Sequence, residues 1–445
     1  MTIPLRRTLT TVSLVFVMFF NVSGGAFTTE SLIVSTGPGL GLLILILVPV
    51  FWSLPETLLV AELASMLPEE GGYYRWVYRA FGPFWAFQNG WWTWMYSLVD
   101  MAIYPVLFNQ YLAFFFPHIG ATVQWLIALA VIWTATAINL KGSGRVGRVS
   151  VISGLFILAT FLVVAVASVP HITHVPWQPF VRNGITGFGG LGVGISIALW
   201  NYIGWDNAST VQGEVVDATR TYPRALALTL PLVTLGYLVP LTATLGASDW
   251  TKWREGGWPE IARASAGVLG MPLAVCVAVA GMVSAIALFN ALLLSYSRIP
   301  FAMARDGLLP QFLSRPDVRG TPRSAVIVSA VCYSVFALLS FAHLVVADVL
   351  LYSMALFLEF GALISLRIKE PKLRGAFRIP VGTTGVIVLA LIPVLILTVV
   401  TGLELNDGEY GLPSIAAAVA AAAIGLPGYW LARRSLRSQQ TETPH

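Results

Sequence analysis

Two stretches of this chain combine residues that make poor helix with residues that make good ligands. The first is Asn21-Val22-Ser23-Gly24-Gly25-Ala26-Phe27 and the second is Trp200-Asn201-Tyr202-Ile203-Gly204-Trp205-Asp206-Asn207. Glycine has the highest backbone entropy, so paired glycines beside Ser and Asn favour unwinding, and the second stretch adds a carboxylate and two amides around one glycine. Both lie in apolar surroundings. Unwound backbone is tolerable there only where it lines a cavity or is buried in protein, and a pair of such interruptions points to a transport site near the membrane midplane. Five acids also fall within apolar runs: Glu30, Glu56, Glu62, Asp100 and Asp206. Each costs about 2.5–3.5 kcal/mol at the centre of an isolated spanning helix, so acids kept there face a bundle interior and carry function. Asp206 adjoins the second break and Glu30 follows the first, which makes them the leading functional acids. Asp100 has Tyr96 and Tyr104 one turn to either side. Glu56 follows Pro55 and can satisfy freed backbone. Glu62 suits a loop network with Arg75 or Arg79, and Asp348 and Glu359 read as interfacial or structural.

The elements that must hold these residues are membrane spans. Of 445 residues 57% are hydrophobic and 11% charged, with mean hydropathy +0.78; an average soluble protein is about 25% charged. That excludes a soluble fold and disorder. The two cysteines, Cys276 and Cys332, exclude a disulfide scaffold and read as small core hydrophobes. Charge-poor runs predict twelve helices, near 8–34, 39–67, 83–116, 122–140, 146–169, 187–214, 223–247, 268–303, 323–342, 346–367, 379–402 and 411–432. The breaks fall in spans 1 and 6, corresponding positions if two five-helix halves repeat. With the N-terminus cytoplasmic, all but four of the 26 Lys and Arg residues face inward, the exceptions being Arg182, Lys252, Arg254 and Arg263. This parity needs span 1 in place, against the rival reading of Arg6-Arg7 and the small residues Ser23–Ala26 as a cleavable leader. The formal charge of +5 therefore reports orientation beside anionic lipid and no nucleic-acid partner. No P-loop, nucleophile elbow, H-E-x-x-H pair or zinc-spaced histidines occur, so no enzyme, cofactor or metal site is expected.

Further motifs carry a resemblance. Pro68-Glu69-Glu70-Gly71-Gly72-Tyr73-Tyr74 with Ala80-Phe81-Gly82-Pro83, Gly213-Glu214-Val215 with Pro223-Arg224-Ala225, and Ala302-Met303-Ala304-Arg305-Asp306-Gly307-Leu308-Leu309-Pro310 resemble the loops of the amino acid–polyamine–organocation superfamily. The first break is similar to that family's glycine-serine-glycine element. Val22–Phe27 with Glu30, Trp52-Ser53-Leu54-Pro55-Glu56 and Trp205–Thr210 look closest to plant-type polyamine permeases. The resemblance covers nearly the whole chain. It implies an all-α polytopic transporter of LeuT type: one domain over 1–445, inverted repeats over 8–169 and 187–367, peripheral helices over 379–432, and alternating access driven by a cation gradient or by exchange. Many amino-acid members carry a lysine in span 5 at a cation position. This chain has none between Val149 and Pro170, and Gly154 falls near that place. Carboxylates such as Glu30 or Asp206 are then the expected proton carriers.

The expected substrate site is Val22, Ser23, Gly24, Gly25, Asp100, Trp200, Asn201, Tyr202, Gly204 and Asp206, with Trp200 and Trp205 as gates. A helix starting near Gly25 offers free N–H groups to an amino-acid carboxylate. Amines want acids and aromatic faces, and the unpaired acids favour cationic substrates. The expectation is a plasma-membrane importer of polyamines or amino acids, proton-coupled, with both termini cytoplasmic. The rivals are a neutral amino-acid permease, an obligate exchanger, and a non-transporting nutrient receptor on the same fold. Oligomeric state is left open.

Overall fold

The computed structural model describes residues 5–182, 191–318, 320–337, 345–406 and 411–441. The chain runs through α1 (Thr11–Val22), α2 (Thr29–Thr36), α3 (Pro38–Val48), α4 (Leu54–Met66), α5 (Gly72–Phe81), α6 (Pro83–Leu112), α7 (Ala121–Asn139), α8 (Ser143–Ser168), α9 (Leu191–Trp200), α10 (Ala218–Ala247), α11 (Trp258–Ser265), α12 (Gly270–Tyr296), α13 (Arg298–Arg305), α14 (Arg323–Phe336), α15 (Val345–Lys369), α16 (Thr383–Asn406) and α17 (Gly411–Thr441). Proline opens α3 and α6, where its missing N–H has no helical partner to lose. α3 and α4 join through a π-helical turn, Pro49–Ser53, into one long apolar element. The ends of expected spans 6 and 9 at 187–190 and 338–342 lie outside the described residues.

Among the described residues, eight helical stretches are long and apolar enough to cross a membrane. The remaining expected spans fall short for visible reasons. Spans 1 and 6 are cut in two by their breaks. α6 carries Gln88, Asn89, Thr93, Ser97 and Asp100, all buried, which lowers its hydropathy without shortening it. Exposed Leu, Ile, Val and Phe on α7, α8 and α16 face outward, as a lipid-facing surface requires. The chain is a multi-pass, all-helical membrane protein.

α12 packs against α6, α8, α11 and α7, and α1 against α10, α8 and α12. A Cβ on Gly154 of α8 would lie 2.3 Å from Phe16 Cδ1, so glycine lets α1 and α8 meet, and the Phe16 ring fills the space a longer side chain would need. The segment before α1 pairs with the chain leaving the second break: Leu9 and Val215 form a bridge, and the Thr8 N–H donates to the Glu214 carbonyl at 2.8 Å.

Candidate functional site

The two breaks touch. α1 ends at Val22, and Gly24 and Gly25 follow with φ of +70° and +114° before α2 begins. α9 ends at Trp200, and a turn through Gly204 (φ +99°) leads into a 3₁₀ helix at Asn207–Glu214. A Cβ on Gly204 would lie 2.5 Å from the Asn21 carbonyl oxygen. Thr28 Oγ1 donates to Asn201 Oδ1 at 2.9 Å, joining break to break. Ser284 on α12 donates to the Gly24 carbonyl at 2.6 Å, and the Tyr237 hydroxyl on α10 donates to the Asn201 carbonyl at 2.7 Å. The carbonyls freed by unwinding are thus held by side chains of neighbouring helices, which is what unwound backbone in a membrane requires.

Between the breaks, α6, α12 and α15 lies a small cavity. Val22, Ser23, Asp100, Trp200, Asn201 and Gly204, of the residues singled out above, line it. The others stand back. A Cβ on Gly24 would meet Leu288 and Ser284 at 2.7 Å, and one on Gly25 would meet Ile157 at 2.7 Å. Tyr202 is buried against Tyr237, with its hydroxyl on the Leu45 carbonyl at 3.1 Å. Trp205 is fully buried and donates to the Tyr202 carbonyl at 2.7 Å, so it braces the turn from behind. Glu30 sits under the loop before α11, where Oε1 accepts from the Gly256 N–H at 2.8 Å. Asp206 lies one layer behind the wall, beneath Tyr352.

The remaining wall is Tyr96, Tyr104, Asn207, Leu288, Tyr296, Asp348 and Tyr352, with Asn21 and Ile203. Two carboxylates therefore face the space. Asp100 accepts from the Tyr104 hydroxyl at 2.6 Å and from the Tyr296 hydroxyl at 2.9 Å. Asp348 is 1% exposed and its Oδ1 has no hydrogen-bond partner. Tyr96 stands edge-to-face with Tyr296 and Tyr352 at 5.7 and 5.5 Å. Among the described residues, no Lys or Arg lines the cavity. Acids paired with aromatic faces suit ammonium groups joined by methylenes.

Four readings from sequence are corrected. Asp348 is part of the cavity wall, not an interfacial acid. Glu359 is wholly buried, with Asp206 and Asn89 as polar neighbours, although neither of its oxygens makes a well-aligned hydrogen bond. Glu62 pairs with Arg367 on α15, whose Nε donates to Oε1 at 2.7 Å, while Arg75 pairs with Asp306 and Arg79 with Glu370. Glu56, expected to satisfy backbone, instead meets the Tyr352 hydroxyl at 2.5 Å. The signal available for these residues was the cost of a buried acid; their partners lie about 150 to 300 positions away in sequence.

Ion pairs and hydrogen bonds tie the bundle together above and below the breaks. At the end carrying Arg6 and Arg7, fully buried Arg298 donates from Nη2 to Glu214 Oε1 at 2.7 Å and lies 3.7 Å from Glu70. Burial, then the Glu214 charge, pushes the Glu70 carboxyl above its usual range, and Arg298 acts in the opposite direction. At the other end, Trp258 of α11 donates to the Ala26 carbonyl at 2.7 Å, and Arg182 donates to the Val34 carbonyl at 2.8 Å.

A multi-pass helical bundle with two touching breaks beside an acidic cavity fits a membrane transporter. Comparison with known proteins makes this specific. A family model described as amino acid permease matches residues 8–417, and the chain belongs to that family. It is 35% identical over 401 residues to a probable polyamine transporter of Arabidopsis thaliana, covering 89% of this chain and 80% of the relative. It is 33% identical to the polyamine transporter PUT1 of Oryza sativa subsp. japonica, covering 89% of this chain and 74% of the relative. It is 25% identical to a methylthioribose transporter of Bacillus subtilis, covering 84% of each chain. The family and these relatives are transporters, not enzymes.

Proposed function

We propose that this protein imports polyamines across the plasma membrane as a proton-coupled secondary transporter working by alternating access. The observation that carries the reading is the pair of carboxylates, Asp100 and Asp348, facing a tyrosine-lined cavity that no Lys or Arg among the described residues lines. A diamine can place one ammonium at this acidic wall and lay its methylenes across Tyr96, Tyr296 and Trp200. A zwitterionic amino acid brings a carboxylate that these acids repel. The relatives named as polyamine transporters support the same substrate class.

The architecture we propose has twelve spans, both termini cytoplasmic. Inverted five-helix repeats over 8–169 and 187–367 bring the two breaks together, and peripheral helices follow over 379–432. α1, α2 and the two halves of span 6 are the moving parts. The Arg298–Glu214–Glu70 cluster seals the cytoplasmic side, and the Glu30 and Trp258 contacts seal the outer side. Exchange is the same cycle without the empty return.

The test is competition in proteoliposomes: unlabelled putrescine, spermidine, agmatine and a panel of amino acids against labelled putrescine. Displacement by diamines and triamines and not by leucine or glutamate supports the reading. A protein that takes up a neutral amino acid or methylthioribose and ignores polyamines overturns the substrate class and leaves the family standing.

A further inference from the structure

Behind the cavity wall stands a second group of acids that the substrate does not reach. Tyr352 Oη lies 2.5 Å from Glu56 Oε1 and 2.9 Å from Asp206 Oδ1, and it accepts the Gly204 N–H at 2.9 Å. A phenol has one proton to donate. If Tyr352 gives it to Glu56, its contact with Asp206 needs a proton brought by Asp206, and the converse holds. A proton on either carboxylate satisfies both contacts at once. Glu359, two helical turns along α15 from Tyr352 and about 10 Å away along the axis, is fully buried beside Asp206. Its two oxygens and Glu56 Oε2 have no well-aligned hydrogen-bond partner, and no salt bridge among the described residues reaches any of the three acids. Three ionised carboxylates cannot share such a site without protons or cations.

We propose that Glu56, Tyr352, Asp206 and Glu359 form the binding site for the coupling protons, distinct from the ammonium-facing wall of Asp100 and Asp348. This deepens the transport reading above and rests on it. Tyr352 is the link between the two sites: its ring lines the cavity, and its hydroxyl holds the N–H of Gly204 at the apex of the second break. Movement of that turn removes a donor from the hydroxyl and changes which carboxylate the phenol serves. The titratable groups facing the cluster from neighbouring elements are Tyr73 on α5, Tyr96 on α6 and Tyr222 on α10. None is basic, so the proton is the counter-charge. Glu30, the other expected proton carrier, stands apart from this cluster, with Oε1 on the Gly256 N–H of the loop before α11.

The experiment uses purified full-length protein in liposomes with the voltage clamped to zero, because membrane potential alone accumulates a dication. One pH unit, acid outside, is then worth about tenfold accumulation of labelled putrescine per coupled proton. Glu359→Gln and Glu56→Gln, neither of which lines the cavity, should abolish gradient-driven accumulation while counterflow at symmetric pH stays within about threefold of wild type. Wild-type accumulation in both variants overturns the proposal, as does a wild-type protein that exchanges putrescine and ignores the gradient. Absence of wild-type putrescine counterflow would fail the substrate reading alone. The proton site is then read without substrate, from thermal midpoint against pH: Glu359→Gln should flatten the profile, and profiles that superimpose overturn the proposal.

Discussion

Replacing Asp348 by Asn removes one negative charge from the cavity wall and changes little in shape. Asp348 is buried, and its Oδ1 has no protein hydrogen-bond partner among the described residues, so an arriving ammonium meets an unengaged acceptor. Asp100, by contrast, already accepts two tyrosine hydroxyls at 2.6 and 2.9 Å. A charge-assisted hydrogen bond contributes about 1.5–3 kcal/mol, which converts to about 10- to 150-fold in affinity. Asp348→Asn should therefore raise the Kd for putrescine by that factor, and Asp100→Asn by less, since its tyrosines disperse part of the charge. Equilibrium binding of labelled putrescine to detergent-solubilised protein at fixed pH measures both. Asp348→Asn protein that binds putrescine with wild-type affinity refutes the recognition argument. Reversed ranking of the two variants refutes the part that rests on hydroxyl partnering.

Gly204→Ala puts a Cβ 2.5 Å from the Asn21 carbonyl at a φ of +99°, whereas a Cβ on Gly82 (φ +84°) meets nothing within 4 Å. Transport and thermal midpoint should fall further for Gly204→Ala than for Gly82→Ala; equal losses would mean that the contact between breaks carries no weight. Arg298→Met leaves Glu214 and Glu70 buried without their cation, a loss of about 3–5 kcal/mol, and adding Glu214→Gln should restore part of the thermal midpoint; a single variant as stable as the double contradicts that. Single cysteines in the loop at 249–263 should react with impermeant reagent from outside, and one at Asp317 only after permeabilisation; outside labelling of 317 would sink the proposed orientation.

The helices and the breaks were readable in sequence because their causes are local. Gly24-Gly25 and Asn201–Asn207 interrupt apolar runs, and no other stretch does so with as many ligand groups. Asp100 was readable for the same reason, its tyrosine partner Tyr104 lying one turn away. What failed was partnership across the fold. Glu56 meets Tyr352 and Glu62 meets Arg367 about 300 positions on, and nothing in either neighbourhood shows this. Trp205 flanks a break and looked like a gate, yet the turn points it into the core. The Trp91 indole likewise reaches across the fold, donating to the Ala421 carbonyl at 2.9 Å and tying α6 to α17. Asp348 sits at the start of a helix whose preceding residues are apolar, so its sequence context reads as an edge while its fold context is a cavity.

The central claim is that the cavity recognises and moves a multiply charged amine, and charge movement tests it without any label. Liposomes bearing the purified protein are adsorbed to a solid-supported membrane, and solutions are switched at constant pH. Putrescine and spermidine should each evoke a saturable inward positive current that empty liposomes lack and that Asp348→Asn protein shows only at higher concentration, while leucine should evoke none. Currents from leucine, or silence from both amines in protein that is folded and correctly inserted, would contradict the account.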